Sequence, residues 1–162
     1  MLSRRTFLAV SASLPALALA GTAAAQEPAA LPAAVGADSP DTVPVEVGPV
    51  VRHEDLIVVR VAAPTAQASL LTSGGAFKTD GSSLKADGVR LVSVSRGAAL
   101  APQDRTATRA QGSAPQDMTE AFVVFAALEG NDPVQVLLPG WGLIPDVPLL
   151  SEQDAGLSVT VS

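Results

Sequence analysis

Short runs of β-branched residues, separated by turn-forming residues, are the dominant pattern from Pro44 to the end of the chain. The first two runs, 45–51 and 56–61, lie on either side of a polar segment at 52–55. Two such runs with a short polar connection predict a β-hairpin whose turn is the polar segment.

Alternation within the runs predicts which side chains enter the core, because successive side chains of a strand point to opposite faces. In the second run Arg60 is expected to face water, and in a later run, 134–138, Gln135 is expected to do the same. The expected core residues are Ile57, Val59, Val61, Leu91, Val134, Val136 and Leu138.

The strongest strand signal lies in the run 121–128, which is apolar nearly throughout and therefore predicts a strand covered on both faces. The turn signal Asp87-Gly88 opens a strand at 89–94, and Pro139-Gly140 closes the strand at 134–138.

Weaker signals complete the pattern. Short strands are expected near 69–71 and at 158–161, while 97–117 is predicted to be an exposed loop. Many short strands with frequent turn signals and no convincing helix predict an all-β fold, an antiparallel β-sandwich, over 44–162.

The N-terminus has a different composition and resembles a twin-arginine export signal. Its recognition motif comprises Arg4, Arg5, Phe7 and Leu8. An apolar, alanine-rich stretch follows as a cleavable signal helix and ends at Ala23-Ala24-Ala25, with cleavage expected after Ala25. The stretch is too short and too rich in alanine for a membrane span, and no cysteine follows it for lipid attachment.

Three segments are therefore expected: a signal peptide at 1–25, a flexible Ala/Pro-rich spacer at 26–43, and the β-domain at 44–162. The signal predicts a periplasmic or secreted protein. Removing Arg4 and Arg5 changes the net charge from −6 to −8, which argues against nucleic acid and anionic lipid as partners. With no cysteine, stability must come from an ordinary apolar core.

Several of these strands resemble a known family. Residues 134–149 (VQVLLPGWGLIPDVPL) resemble the closing strand and tail of an immunoglobulin-like domain of bacterial secreted proteins and lipoproteins, which often precedes a domain of the outer-membrane-protein-A type. Residues 56–61, 88–92 and 121–128 resemble its earlier strands, so the likeness covers roughly 44–150. It implies an immunoglobulin-like sandwich outside the cytoplasm and no catalytic residues.

Candidate chemistry is sparse. His53, Glu54 and Asp55 could bind a metal or act as a base, but neighbours on a strand point apart, so a solvated turn is predicted instead. Asp80 and Asp87 suit calcium, yet the spacing lacks the EF-hand pattern and predicts two tight turns. No metal site, cofactor or catalytic residue is predicted.

Trp141 and Asp146 are the candidate interaction residues. Trp141 either anchors a partner or plugs the open end of the sandwich, and its apolar neighbours Leu143 and Ile144 favour the plug. Asp146 is expected to cap a turn before Pro148.

The sequence therefore predicts an exported, non-catalytic β-sandwich of the cell envelope, acting as an interaction or structural module. Its partner is expected to be an envelope protein or a cell-wall component, with no membrane contact after signal cleavage. Two alternatives stay open: a small metal-dependent hydrolase that uses His53 and neighbouring acids, and a small-ligand carrier with its pocket between the sheets.

Overall fold

The chain folds as an all-β domain. The computed structural model describes residues 35–39, 42–73, 75–79 and 84–162. The strands are β1 (Val35–Ser39), β2 (Thr42–His53), β3 (Leu56–Pro64), β4 (Phe77–Thr79), β5 (Leu84–Ala86), β6 (Arg90–Ser93), β7 (Ala99–Leu100), β8 (Ala107–Arg109), β9 (Met118–Ala126), β10 (Val134–Leu138), β11 (Gly142–Val147), β12 (Leu149–Ser151) and β13 (Val159–Val161). The helical pieces are a 3₁₀ turn at Thr65–Gln67, α1 (Ser69–Ser73) and α2 (Glu152–Ala155).

The larger sheet, sheet I, has the antiparallel order β1-β2-β3-β9, and β12 adds to it in parallel with β2. Strand β2 changes partners along its length: Val47 pairs with Val35 of β1, whereas Val50 pairs with Leu149 of β12. The register with β3 shifts between Val47 and Val50, so a bulge marks the point where one edge partner replaces the other.

Sheet II has the order β11-β10-β6-β7, all antiparallel. Two smaller antiparallel pairs, β4–β5 and β8–β13, lie outside these sheets. The predicted strand at 134–138 is confirmed as β10, and the turn at Gly88 is confirmed in front of β6.

The main core lies between sheets I and II. Every second side chain of each sheet points into this core, because successive side chains of a strand point to opposite faces. The expected core residues all belong to it: Ile57, Val59, Val61, Leu91, Val134, Val136 and Leu138. Phe77 and Leu71 close the cluster from the segment between β3 and β5.

A second core lies on the opposite face of sheet I. Val51, Val58 and Val124 supply the sheet side, and the covering residues come from β8 and the C-terminal segment. Those covering residues are Ala107, Ala155, Leu157 and Val159. Sheet I is therefore a middle layer buried on both faces, which explains why β3 is almost continuously apolar.

This third layer overturns the prediction that Arg60 faces water. Arg60 does point away from the main core, but its side chain is 0% exposed because β8 and the C-terminal segment cover that face. The prediction failed because alternation gives the direction of a side chain and not what lies in that direction.

Three other segments differ from the prediction in local structure. Residues 69–71 belong to helix α1, where Thr72 and Ser73 hydroxyls donate to the Ser69 carbonyl and stabilise a helical turn instead of a strand. The expected loop 97–117 contains β7 and β8. Part of the expected spacer, Val35–Ser39, forms strand β1 and pairs with β2.

Helix α2, which the sequence pattern did not predict, has a complete cap. The Ser151 hydroxyl accepts the Asp154 amide at 3.1 Å, and Gly156 ends the helix in the left-handed conformation at φ 60°. This turn places Ala155 and Leu157 on the outer face of sheet I.

We expect Leu157→Ala to lower the free energy of unfolding by about 2–5 kcal/mol, because Leu157 is 1% exposed and packs in the second core. The matched control is Leu143→Ala on β11, since Leu143 is 50% exposed and should cost about 0.5 kcal/mol or less. Chemical denaturation measures both, and equal losses would show that the outer face of sheet I is not a true core.

Candidate functional site

A cleft runs along the outer edge of β9 and is the candidate functional site. It consists of two adjoining cavities of about 280 Å³ and about 730 Å³. Leu84, Thr106 and Phe122 line both, so the two cavities form one continuous surface. Between them, their linings include every β9 residue from Met118 to Val124.

The walls of the cleft come from three elements. Strand β5 lies on one side, and β8 with the segment 101–106 lies on the other. The Gln103 amide donates to the Val124 carbonyl at 2.8 Å, which fixes the segment against β9. Lys85 Nζ contacts Asp104 Oδ1 at 3.3 Å and so links the two walls.

The floor of the larger cavity holds a buried charge network. Arg60 Nε donates to Glu120 Oε1 at 2.5 Å, and Arg109 donates to the same carboxylate through Nε at 3.0 Å and Nη2 at 2.6 Å. The side chains of Arg60, Glu120 and Arg109 are 0%, 5% and 13% exposed. This network joins three strands: β3, β9 and β8.

Strand register brings the network together. Arg60 of β3 lies opposite Phe122 of β9. Glu120 lies two residues before Phe122 in β9, on the same face of the sheet. Such diagonal neighbours are within reach of long side chains. The covering strand β8 then supplies Arg109 from above that face.

Arg60 has further partners on β2. Its Nη1 donates to the Gly48 carbonyl at 2.9 Å and contacts Glu46 Oε2 at 3.3 Å. Gly48 lies in the bulge of β2, where the register with β3 shifts. The remaining nitrogen, Nη2, is buried with no hydrogen-bond partner among the described residues. An incompletely paired buried guanidinium depends strongly on the anionic partners that it has.

Two opposing effects act on the pKa of Glu120. Burial raises it, whereas the hydrogen bonds and positive charges of Arg109 and Arg60 lower it, and the lowering prevails. Glu120 is therefore ionised at neutral pH and engaged on both oxygens. A carboxylate in this state is suited to holding β8 against β9 and not to transferring protons.

The cleft concentrates positive charge on an acidic protein. Four of the ten Lys and Arg residues line it, against three of the sixteen Asp and Glu residues, and the chain as a whole carries −6. Among these cations, Arg105 has no ion-pair partner among the described residues, and the charge of Arg90 acts on Asp87 without a close ion pair. The smaller cavity can therefore attract an anionic group.

His53, Glu54 and Asp55 lie away from this cleft. Glu54 and Asp55 form the two-residue turn between β2 and β3, in agreement with the predicted hairpin, and both are exposed. His53 Nδ1 lies 3.2 Å from Glu152 Oε1, which also accepts the Val159 amide at 2.8 Å. The imidazole thus connects β2 to the C-terminal layer. Within the described ranges, no three His, Asp or Glu residues are arranged to hold a metal ion.

The two predicted interaction residues lie near opposite ends of β11 in sheet II. Trp141 occupies the turn between β10 and β11 and is partly buried against the main core. Asp146 is exposed within β11 at φ 54°, where the register with β10 shifts, so it belongs to a bulge and not to a turn cap. Neither residue lines the cleft.

The remaining predicted residues fall into two groups. Asp87 forms an ion pair with Lys78, and the hydrogen bond and charge of Lys78 lower its pKa. Asp80, with which Asp87 was considered for calcium, lies outside the described residues. So do all the predicted signal residues: Arg4, Arg5, Phe7, Leu8, Ala23 and Ala25.

Sequence reasoning did not find the cleft, although one signal pointed to it. Arg60 interrupts a run of apolar residues, and Arg is almost never fully buried unless it is paired. An arginine in a strand covered on both faces therefore requires a carboxylate nearby. The pattern alone did not identify Glu120 as that carboxylate.

No family model, no curated protein and no solved structure matches this chain. Among the described residues, no helix is long and apolar enough to cross a membrane.

We expect Glu120→Gln to lower the free energy of unfolding at neutral pH by about 3–5 kcal/mol, because it removes the closer and more buried of the two carboxylates that pair with the fully buried Arg60. Its control, Glu129→Gln, removes an exposed partner of Arg96 and should cost about 1 kcal/mol or less. Because the folded-state pKa of Glu120 lies below its unfolded value, its contribution is complete above the unfolded pKa and is lost as pH falls through the folded pKa.

Denaturation at pH values from about 3 to about 7 tests both effects. The Glu120→Gln chain should show a flatter acid limb than the parent chain. An unchanged slope would mean that Glu120 does not contribute to acid sensitivity.

Proposed function

We propose that this chain is an exported, non-catalytic interaction module of the cell envelope, built on an immunoglobulin-like β-sandwich. Three features support this function: the strand order of the two sheets, the motif at Arg4 and Arg5, and the cleft beside β9.

Strand order supports the immunoglobulin-like fold. An immunoglobulin-type sandwich has strands A, B and E adjacent in one sheet and strands G, F, C and C′ in the other. Taking β2, β3 and β9 as A, B and E reproduces the order of sheet I, and β11-β10-β6-β7 then reproduces G-F-C-C′. In this assignment β8 occupies the chain position of strand D but pairs with β13 instead of β9. The outer edge of the E strand is consequently left to the cleft.

The cleft is the observation that carries the binding function. It combines an edge strand, partly exposed apolar side chains such as Leu84, and a local excess of positive charge. Its most buried carboxylate, Glu120, is held by two arginines and stabilises the packing of β8 on β9. This combination suits recognition of a partner better than it suits a reaction.

The motif at Arg4 and Arg5 supports export by the twin-arginine pathway, which gives an envelope protein or a cell-wall component as the class of partner. The acidic net charge argues against nucleic acid and anionic lipid. No contact among the described residues favours the metal-dependent hydrolase, and the cleft lies beside the sheets instead of between them.

Replacing Arg4 and Arg5 by lysine should stop export, because the paired guanidinium groups are the recognition element of this signal type. The parent chain should be recovered outside the cytoplasm with Gln26 as its first residue. Cell fractionation with N-terminal sequencing measures both results. Continued export of the Arg4→Lys, Arg5→Lys chain would contradict the twin-arginine assignment.

A photo-crosslinking residue at Thr106, which is exposed and lines both cavities, should capture a defined envelope component. The control position is Val94, which is 51% exposed and lies outside the cleft. Identical products from the two positions, or none from Thr106, would show that the cleft is not the interaction site.

A further inference from the structure

We infer that the occupant of the cleft is an extended peptide segment with acidic side chains, which adds as a strand to the outer edge of β9. This inference rests on the proposed binding function and specifies the chemistry of the partner. Three observations carry it: the orientation of the β9 backbone, the partial covering of that edge, and the charge around it.

The backbone of β9 presents alternate residues to the cleft. The Val124 carbonyl accepts the Gln103 amide, so it points away from β3. Because a strand directs its N–H and C=O groups alternately to its two neighbours, the groups of Phe122 and Glu120 point to the same outer side. Val123 and Ala121 are directed to β3, where they pair with Val59 and Val61.

The outer edge is covered at its two ends and open between them. At one end Gln103 occupies the Val124 carbonyl, and at the other the Met118 amide donates to the Pro115 carbonyl at 3.2 Å. Between these points, Glu120 and Phe122 have no backbone partner on the outer side among the described residues. An incoming strand can therefore form up to four backbone hydrogen bonds there, two with each residue.

The space and the apolar contacts suit an extended chain. The larger cavity, about 730 Å³, lies beside Glu120 and Phe122 and is within the range of roughly 300–1,000 Å³ that is common for ligand sites. Leu84 is 44% exposed at its margin, and Met118 and Phe122 are partly exposed on its floor. Alternate side chains of an added strand would contact these surfaces, which is how strand addition obtains specificity.

Charge selects the kind of peptide. Arg105 lines the smaller cavity next to the open part of β9 and has no ion-pair partner among the described residues, whereas Arg90 in the same lining acts electrostatically on Asp87. On a chain with net charge −6, this local surplus favours acidic side chains and disfavours basic ones. An acidic extended peptide satisfies both the backbone and the charge requirement.

The test uses the full chain, isotope-labelled, and three synthetic eight-residue peptides followed by amide NMR shifts. The first peptide alternates threonine and valine, with glutamate in place of two of these residues. The second has lysines in place of the glutamates, and the third is the first peptide with alternate backbone amides methylated so that it cannot pair as a strand.

We expect the glutamate peptide to shift the amide signals of Glu120 and Phe122 and the lysine peptide to bind about tenfold or more weakly. The methylated peptide should not bind. Arg105→Glu should weaken the glutamate peptide about tenfold, whereas Arg96→Glu, an exposed arginine paired with Glu129 outside the cleft, should leave binding unchanged. Thermal unfolding of both variants verifies that each chain is folded.

Absence of binding, equal binding of the acidic and basic peptides, or shifts confined to other strands would overturn the inference. Shifts of Glu120 and Phe122 that follow protein concentration without peptide would also overturn it, since the occupant would then be a second copy of the chain. If crosslinking at Thr106 succeeds while the peptides fail, the binding function stands and only the strand-addition inference falls. If both fail, the proposed function falls as well.

Discussion

Coverage of sheet I on both faces is the constraint on which the rest of this structure depends. The main core needs only two sheets, but α2, β8 and β13 cover the outer face of sheet I and turn it into a middle layer. Any polar side chain on that face must then find its partners inside the protein. Arg60 is that side chain, and its pairing with Glu120 and Arg109 connects the third layer to the sheet.

The two edges of sheet I are treated differently. On the β2 side, the bulge between Val47 and Val50 lets β1 and β12 share one strand, so both halves of that edge are paired. On the β9 side, β8 pairs with β13, and the loop residue Gln103 covers only one end. Edge strands with unpaired backbone groups are natural sites for added strands. The same rearrangement that buries Arg60 therefore leaves the cleft open.

In the proposed binding mode, the structural and the binding contacts of β9 lie within a few residues of each other. Glu120 turns its side chain to Arg60 and Arg109, and it directs its backbone toward the cleft. The positive charge left for the proposed partner is mainly that of Arg105, which has no ion-pair partner among the described residues, whereas Lys85 and Arg109 are paired and Arg90 acts on Asp87. For the proposed binding surface, we expect support by a buried ionic network to reduce the conformational entropy lost on binding.

The sequence by itself determined the strands of the main core. Alternation in 56–61 and 134–138 gave the correct inward residues, and the signals at Asp87-Gly88 and Pro139-Gly140 gave correct boundaries, since these depend on neighbours in the chain. Only the tertiary structure decided the burial of Arg60, the formation of strand β8 and the position of the cleft. Each of these depends on pairing between segments far apart in sequence, such as Arg60 with Glu120 and Ala107 with Val161, and a local pattern carries no information about which distant segment will cover a given face.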